Sequence, residues 1–145
     1  MVLKVIKFNS KEYQQMVNLR YKLLREPLGL CFKAEQLAAD EDDFLLGCFD
    51  QSEIELIGCC ILGKVNHSTL QLRQMVVSTE FQGKGIGKII IGYAEGVARN
   101  AGYSKLILHA RKLAEEFYKK MGYSISGDEF IEVSIPHFSM EKTII

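Results

Sequence analysis

The segment Gln82–Gly87 constrains this chain more than any other, because it places three glycines within five residues between a strand-like and a helix-like apolar run. Glycine adopts left-handed backbone conformations and lets a ligand approach the main chain closely. The helix that follows offers unpaired N–H groups and the positive end of its dipole. The segment therefore predicts a loop whose amides bind a pyrophosphate, with Lys84 and Lys88 adding positive charge at its edge.

Two nucleotide-binding motifs resemble this loop but do not fit it. The dinucleotide pattern G-x-G-x-x-G needs a glycine where Lys88 stands, and it normally follows the first strand of a fold. The Walker pattern G-x-x-x-x-G-K-[ST] also fails, because Gly83 is followed five residues on by Lys88, and Ile89 is neither Ser nor Thr. Nucleotide binding is therefore the weakest interpretation of the loop.

Hydrophobic periodicity divides the rest of the chain into strands and helices. Strands are predicted over residues 2–8, 44–49, 54–63, 69–77, 105–109 and 133–142, and helices over residues 10–24, 34–39, 85–101 and 113–121. Ser10 is suited to cap the first helix, and Pro27 and Gly29 are suited to end it. The chain is thus predicted to begin with an antiparallel meander and to continue with a β-α-β unit that carries the glycine loop.

This element order predicts the α/β class, with one layered, mixed and mostly antiparallel sheet and helices on both of its faces. In the last predicted helix, Leu113, Phe117 and Met121 share a face that is expected to pack in the core. No repeat, low-complexity segment or linker interrupts residues 1–145, so a single domain is predicted.

Composition argues against several classes of partner. Eighteen basic residues balance eighteen acidic ones, so no bulk charge favours nucleic acid or an anionic membrane, and no apolar run reaches the length of a membrane span. The first residues lack the apolar run of a secretory signal, which predicts a cytoplasmic protein. The cysteines show no metal-ligand spacing, so no metal is expected, and Cys48, Cys59 and Cys60 lie in apolar runs typical of buried, reduced thiols.

Two motifs in the second half of the chain resemble those of the GNAT N-acetyltransferase superfamily. One is a Met75-Val76-Val77 strand followed by Gln-x-x-Gly-x-Gly from Gln82, and the other is Ala114-x-x-Phe117-Tyr118 followed by Gly122-Tyr123. The resemblance implies acetyl-CoA as cosubstrate, with its pyrophosphate on the loop and its pantetheine arm paired like a strand with Met75 and Val77. The residues assigned to the cofactor are Met75, Val76, Val77, Gln82, Gly83, Lys84, Gly85, Ile86, Gly87, Lys88, Ala114 and Phe117.

The resemblance also implies two catalytic residues. Tyr118 matches the family's proton donor, and it lies four residues after Ala114, whose small side chain leaves room for the ligand. His137 has the side chain best suited to take a proton from an amine near neutral pH. An amide at Met75 or a neighbouring residue is expected to stabilise the oxyanion that forms when the thioester carbonyl is attacked.

Other titratable side chains leave alternatives open. Glu129 or Glu132, acting through a water, is an alternative base. His67 lies in the polar turn 66–68 and is predicted to face solvent. His109 ends a strand next to the expected site and is predicted to be a paired core imidazole.

Three arginines indicate what the acceptor carries. Arg20 lies in the first helix, Arg73 lies on the strand before the loop, and Arg111 follows the next strand. Converging on one carboxylate or phosphonate, they would form bidentate hydrogen bonds. Most family members carry Asn where Arg111 stands, and this departure favours a cationic pocket. The structural alternative is that acids such as Glu26 or Glu132 pair with these arginines.

The arginines, together with Tyr118 and His137, are similar to the set found in the glyphosate N-acetyltransferase subgroup. The stretches 72–75 and 135–137 are similar to the ElaA-like and YjcF-like branch of the superfamily. These resemblances imply direct acetyl transfer to a small amine that bears an acidic group. A peptide or protein amine as acceptor, and a non-catalytic acetyl-CoA sensor, remain open alternatives, and the oligomeric state is open as well, a homodimer included.

Overall fold

Strands from both halves of the chain join one eight-stranded sheet. The computed structural model describes residues 1–145. The strands are β1 (Val2–Val5), β2 (Phe44–Phe49), β3 (Leu56–Lys64), β4 (Thr69–Val77), β5 (Lys105–Arg111), β6 (Ser124–Ile125), β7 (Phe130–Glu132) and β8 (Ile135–Thr143). They lie in the order β1-β2-β3-β4-β5-β8-β6 with β7 paired to β8, and only the β4–β5 pair is parallel. The predicted mixed, mostly antiparallel sheet is confirmed.

Four α-helices accompany the sheet: α1 (Lys11–Arg20), α2 (Ala34–Ala38), α3 (Ile86–Asn100) and α4 (Glu115–Lys120). The Ser10 hydroxyl oxygen caps α1 by accepting a hydrogen bond from the Tyr13 amide at 3.1 Å. A π-helical turn over Tyr21–Arg25 extends α1, and Gly29, at φ +69°, ends the helical segment as its glycine predicts. No helix here combines the length and the apolar character needed to cross a membrane.

Helices cover both faces of the sheet and define two cores. Side chains alternate along β3, so that Cys59 and Ile61 join the core beneath α1, whereas Cys60 and Leu62 join the larger core beneath α3. Cys48 also lies in the larger core, and all three of these cysteines are fully buried free thiols, as predicted.

The centre of the sheet opens where β4 and β5 separate. The two strands pair only from Thr69 with Lys105 to Leu72 with Leu108. Just beyond this point β4 contains a β-bulge, at which Gln74 adopts a φ of +54° and the β3–β4 register shifts between Cys59 and Ile61. The edge of β4 beyond Leu72 therefore has no strand partner on the β5 side, and the site described below lies in this opening.

The segment after β5 differs from its prediction. Lys112–Ala114 forms a 3₁₀ turn and α4 begins only at Glu115. Leu113 is consequently fully exposed and Phe117 is 40% exposed, so the expected core face is wrong for Leu113 and only partly formed by Phe117. The physical reason is that a 3₁₀ turn does not keep the 3.6-residue period on which the prediction relied.

Several strand boundaries also differ from their predictions. The first strand ends at Val5 rather than Phe8. The last strand begins at Ile135 because Val133 and Ser134, with φ of +45° and +63°, form a tight turn that joins β7 to β8. This hairpin carries Glu132 and His137 to the opening between β4 and β5.

Candidate active site

The glycine loop forms the entrance to α3. Gly83 and Gly85 have φ of +77° and +81°, the left-handed conformation that explains why glycine stands at both positions. Gly85 is the N-cap of α3 and provides no side-chain cap, so the amides of the first helical turn remain free for a ligand. A Cβ on Gly87 would lie 3.2 Å from Phe117 and 3.4 Å from Met75, so this glycine allows close packing. The loop can therefore bind an anion through its backbone.

A cavity of about 540 Å³ lies between this loop, the end of β4 and α4. The side chains and backbone that line it are Met75, Val76, Val77, Phe81, Gln82, Gly83, Gly85, Ile86, Gly87, Lys88, Ala114, Phe117 and Tyr118. Of the residues predicted to bind the cofactor, only Lys84 is absent, since its ammonium lies over the Phe81 ring at 5.5 Å. The motif did not predict Phe81 as part of the cavity, because this residue precedes the glycine pattern.

A second cavity, of about 470 Å³, lies on the other side of the bulge, where β4 and β5 diverge. Its residues are Leu24, Arg25, Gln71, Leu72, Arg73, Gln74, Met75, Leu108, His109, Ala110, Arg111, Ala114, Tyr118, Glu132, Val133 and His137. The two cavities share Met75, Ala114 and Tyr118. A ligand group in one cavity can therefore reach a group in the other at these three residues.

Tyr118 stands at the junction of the two cavities. Its side chain is 9% exposed and packs edge-on against Phe117 and Tyr123, with ring centroids 5.0 and 5.9 Å away. Burial raises the pKa of Tyr118 to about 12, so the phenol keeps its proton at neutral pH. The hydroxyl has no hydrogen-bond partner within the protein, and it is therefore available to donate to a ligand.

His137 is held in one tautomer by its own hairpin. Its Nδ1 lies 2.7 Å from the Ile135 carbonyl oxygen, and because a carbonyl only accepts, Nδ1 carries the proton of the neutral ring. The basic lone pair is then on Nε2, which lies 3.7 Å from a carboxylate oxygen of Glu132. The ring is 4% exposed and stacks on Phe130 with centroids 5.9 Å apart. His137 thus presents a defined basic atom at the wall of the second cavity.

Glu132 bridges the two histidines of this cavity. Its other carboxylate oxygen lies 3.0 Å from Nδ1 of His109, which is exposed rather than the core imidazole that was predicted. Glu129 does not line the cavity and forms an ion pair with Lys112 at 2.9 Å. His67 is exposed in its turn, as predicted.

Arg20 does not line either cavity. It is 2% exposed, and its Nη1 donates to Asp40 at 2.9 Å while its Nε donates to Gln74 at 3.4 Å. The expected clamp of three arginines is therefore not assembled with Arg20. The carboxylate that pairs with it is Asp40, in a 3₁₀ turn over Ala39–Asp42, rather than Glu26 or Glu132.

Three other guanidinium groups do line the second cavity. Arg73 donates to Asp43 at 2.6 Å but remains about one-third exposed, whereas Arg111 has no carboxylate partner. Arg25, which the sequence did not single out, also has none, and it lies 4.9 Å from the Phe32 ring. Burial and the nearby charge of Arg20 lower the pKa of Arg25, which indicates that its side chain is partly desolvated. With Glu132 as its only carboxylate, this cavity favours an anionic group.

Comparison with known proteins identifies the family. Residues 31–144 match the family described as acetyltransferase (GNAT) domain. The chain belongs to the GNAT acetyltransferase family. The match covers the glycine loop, the β4 opening and α4, but it begins after Arg25. The π-helical turn Tyr21–Arg25, which contributes Arg25 to the second cavity, therefore lies outside the match.

Two curated relatives of this GNAT chain come from Bacillus subtilis strain 168. The uncharacterized protein YyaT is 37% identical over 76 residues, which is 52% of this chain and 51% of YyaT. The uncharacterized N-acetyltransferase YjcF is 38% identical over 73 residues, which is 50% of this chain and 52% of YjcF. The chain thus spans about half the length of the curated relatives it matches, and the predicted resemblance to the YjcF-like branch is confirmed.

Among solved GNAT structures, an aminoglycoside 6'-N-acetyltransferase complexed with coenzyme A matches 100% of this chain and 98% of its own with a TM-score of 0.84. At 19% sequence identity this likeness shows the shared fold alone. The GNAT fold predicted from the loop and strand order is therefore confirmed across the full sheet.

Proposed function

We propose that this GNAT domain transfers the acetyl group of acetyl-CoA to the amine of a small acceptor that bears an acidic group. The observation that carries the proposal is the meeting of two cavities at Met75, Ala114 and Tyr118. One cavity is built on a loop with free backbone amides and the other contains arginines without carboxylate partners. Membership of the family supports the reaction class.

The first cavity suits the cosubstrate. Amides of Gln82–Gly87 would hold the pyrophosphate, and Lys88 at the cavity wall would add a positive charge. The edge of β4 at Met75 and Val77 has no strand partner and offers backbone groups to an extended pantetheine arm, with the Val77 carbonyl also accepting a hydrogen bond from the Gln82 side chain at 3.0 Å. Such an arrangement would bring the thioester to the junction, beside the Tyr118 hydroxyl, with a backbone amide at the bulge available to the developing oxyanion.

His137 and Tyr118 would have different roles in the reaction. As the acceptor nitrogen forms its bond to the acetyl carbon, Nε2 of His137 takes the proton that the nitrogen loses. The carbon–sulfur bond breaks, and the Tyr118 hydroxyl donates to the departing sulfur. A phenol with a pKa of about 12 is a weaker acid than a thiol, whose pKa is about 8.5, so Tyr118 would stabilise the departing thiolate by a hydrogen bond and keep its own proton. The proton that His137 took from the nitrogen would then return through solvent and convert the thiolate to the thiol.

The acidic group of the acceptor would lie against Arg111 and Arg73, with Arg25 in the place expected for Arg20. Bidentate hydrogen bonds from a guanidinium suit a carboxylate or a phosphonate. A volume of about 470 Å³ is in the range of pockets that hold small molecules. These features support a small, acidic amine over a lysine-bearing peptide, for which an acidic groove would be the better complement.

The test is acetyl-CoA-dependent thiol release with matched pairs of amines. Each pair contains an amino acid or aminophosphonate and its uncharged amide or ester, alongside polyamines and a lysine peptide. Because Cys31 is exposed and would react with the thiol reagent, the assay uses the Cys31→Ser variant. Faster turnover of the acidic member of each pair supports the proposal. Turnover of polyamines or peptide alone overturns the acidic acceptor, and acetyl-CoA binding without any turnover favours a sensor.

A further inference from the structure

A buried charge network lies directly behind the β4 bulge. Asp40 is 1% exposed and accepts hydrogen bonds from Arg20 at 2.9 Å and from the Tyr13 hydroxyl at 2.7 Å. The Arg20 guanidinium also contacts β4, where its Nε donates to the side-chain oxygen of Gln74 at 3.4 Å. Arg73 of β4 also lies near this network, with its Nη2 4.0 Å from the other carboxylate oxygen of Asp40. The network therefore connects α1 and the turn over Ala39–Asp42 to β4, where its hydrogen bond is to Gln74.

Gln74 is the residue of β4 with a left-handed backbone, at φ +54°. This conformation is unfavourable for a side chain such as glutamine, and it persists only where the surroundings hold it. Met75 follows immediately and lines both cavities. The conformation of Gln74 thus sets the direction of the backbone at the point where the two ligands of the proposed reaction would meet.

We infer that Arg20 and Asp40 are positioning residues, which hold Gln74 in its left-handed conformation and so fix the Met75 backbone for acyl transfer. The expected effect on kcat rests on the proposed function. The expected effect on the conformation of Gln74 and Met75 rests only on the geometry of the bulge. A buried ion pair is often no more stabilising than apolar side chains of the same volume, so its presence behind a strained residue favours a conformational role.

Arg20→Lys tests the inference because this substitution keeps the positive charge of the side chain. Lysine can still pair with Asp40 but has no Nε–H in the arginine geometry to donate to Gln74. We expect kcat to fall about tenfold with KM for acetyl-CoA within about twofold, a fraction of the 10²–10³ lost when an oxyanion donor is removed outright. An unchanged kcat in a folded Arg20→Lys protein overturns the inference.

Tyr13→Phe is the matched control. It removes a hydrogen bond from the same Asp40 at the end of the network away from Gln74. It should lower the melting temperature while kcat stays at the wild-type value, measured well below both melting temperatures. Equal losses of kcat in Tyr13→Phe and Arg20→Lys would show that the network acts only through stability, and would also overturn the inference.

Glycine at position 74 provides a rescue, because it adopts positive φ without a Cβ. In the Gln74→Gly background, Arg20→Lys should no longer reduce kcat, and a loss equal to that in the wild-type background would contradict the inference. Should Arg20→Lys not fold, Gln74→Met removes the accepting oxygen and leaves the Arg20–Asp40 pair in place, with the same tenfold loss expected.

A readout without substrate separates this inference from the proposed function. Amide ¹H–¹⁵N spectra of the free protein should show the Met75 signal displaced in Arg20→Lys, but unmoved in Tyr13→Phe. If the wild-type protein acetylates no amine, the proposed function fails while the Met75 signal still decides the role of the network. A Met75 signal that is unmoved in Arg20→Lys overturns it.

Discussion

Arg111 and His137 lie directly opposite each other across the antiparallel β5–β8 pair. Opposite residues of such a pair project from the same face of the sheet with Cβ atoms roughly 5 Å apart. Both residues line the second cavity, where Arg111 has no carboxylate partner and His137 presents Nε2 as its basic atom. An acceptor whose acidic group is bound by Arg111 would therefore have its amine close to the proposed base.

Arg111→Ala should raise KM for acidic acceptors roughly 10- to 150-fold, because a hydrogen bond to a charged group contributes about 1.5–3 kcal/mol. The value of kcat should change only a few-fold, since Arg111 does not take part in proton transfer. The measurement is steady-state kinetics with an acidic amine and its uncharged amide. Equal effects on both acceptors would contradict a contact to the acid group.

Tyr118→Phe should lower kcat about 100-fold, in the range given by loss of a hydrogen-bond donor to a developing anion, while the dissociation constant of acetyl-CoA stays within about twofold. Tyr123→Phe is the matched control, because the Tyr123 hydroxyl donates to Glu95 at 2.9 Å and does not line either cavity. The control should lose stability but retain turnover. Full activity in Tyr118→Phe would remove this residue from the mechanism.

The raised pKa of Tyr118 predicts a loss of stability at alkaline pH. The folded chain binds the phenolic proton more tightly than the unfolded chain, whose tyrosine pKa is about 10, so this contribution is fully present below pH 10 and disappears toward pH 12. At pH 11 the loss amounts to about 1.4 kcal/mol. Chemical denaturation measures the unfolding free energy at pH 9 and at pH 11. Its fall between these two pH values should be smaller in Tyr118→Phe than in the wild-type protein by this amount. Identical falls in both proteins would contradict the assignment.

A comparison of Gly83→Ala with Gly92→Ala isolates the effect of backbone conformation. An added Cβ would meet nothing within 4 Å at either position, so steric contact does not contribute at either one. Gly83 has a φ of +77°, so alanine there should destabilise the fold by about 1–2 kcal/mol and weaken acetyl-CoA binding. Gly92 lies inside α3, where alanine should stabilise by about 0.5–1 kcal/mol. Thermal melting with and without acetyl-CoA measures both effects, and a stabilised Gly83→Ala protein would exclude a required left-handed turn.

Local patterns predicted the parts of the fold that depend on neighbouring residues. The glycines of the loop, the Ser10 cap and the buried thiols of Cys59 and Cys60 each follow from short-range backbone or burial preferences, and the structure contains all three. The same reasoning failed at Leu113, because one 3₁₀ turn displaced it from the apolar face of α4.

Long-range pairing explains what the sequence could not predict in the candidate site. Arg20 and Asp40 are 20 residues apart, and nothing in the acidic run 40–43 distinguishes the carboxylate that becomes buried. Arg25 lines the second cavity because a π-helical turn follows α1, and no local sequence motif predicts such a turn. Which arginine lines the second cavity is therefore decided by tertiary contacts rather than by position along a predicted helix.

The common wall of the two cavities has a consequence for the length of the acyl group. Met75, Ala114 and Tyr118 are all that the cavities share, so in the proposed reaction any carbon beyond the acetyl methyl would extend into the volume proposed for the acceptor. With the proposed function, propionyl and longer thioesters would compete for room with the amine that they are meant to modify. Under that proposal the size of the acceptor and the length of the acyl chain would be coupled, so that a longer acyl chain leaves room only for a smaller acceptor.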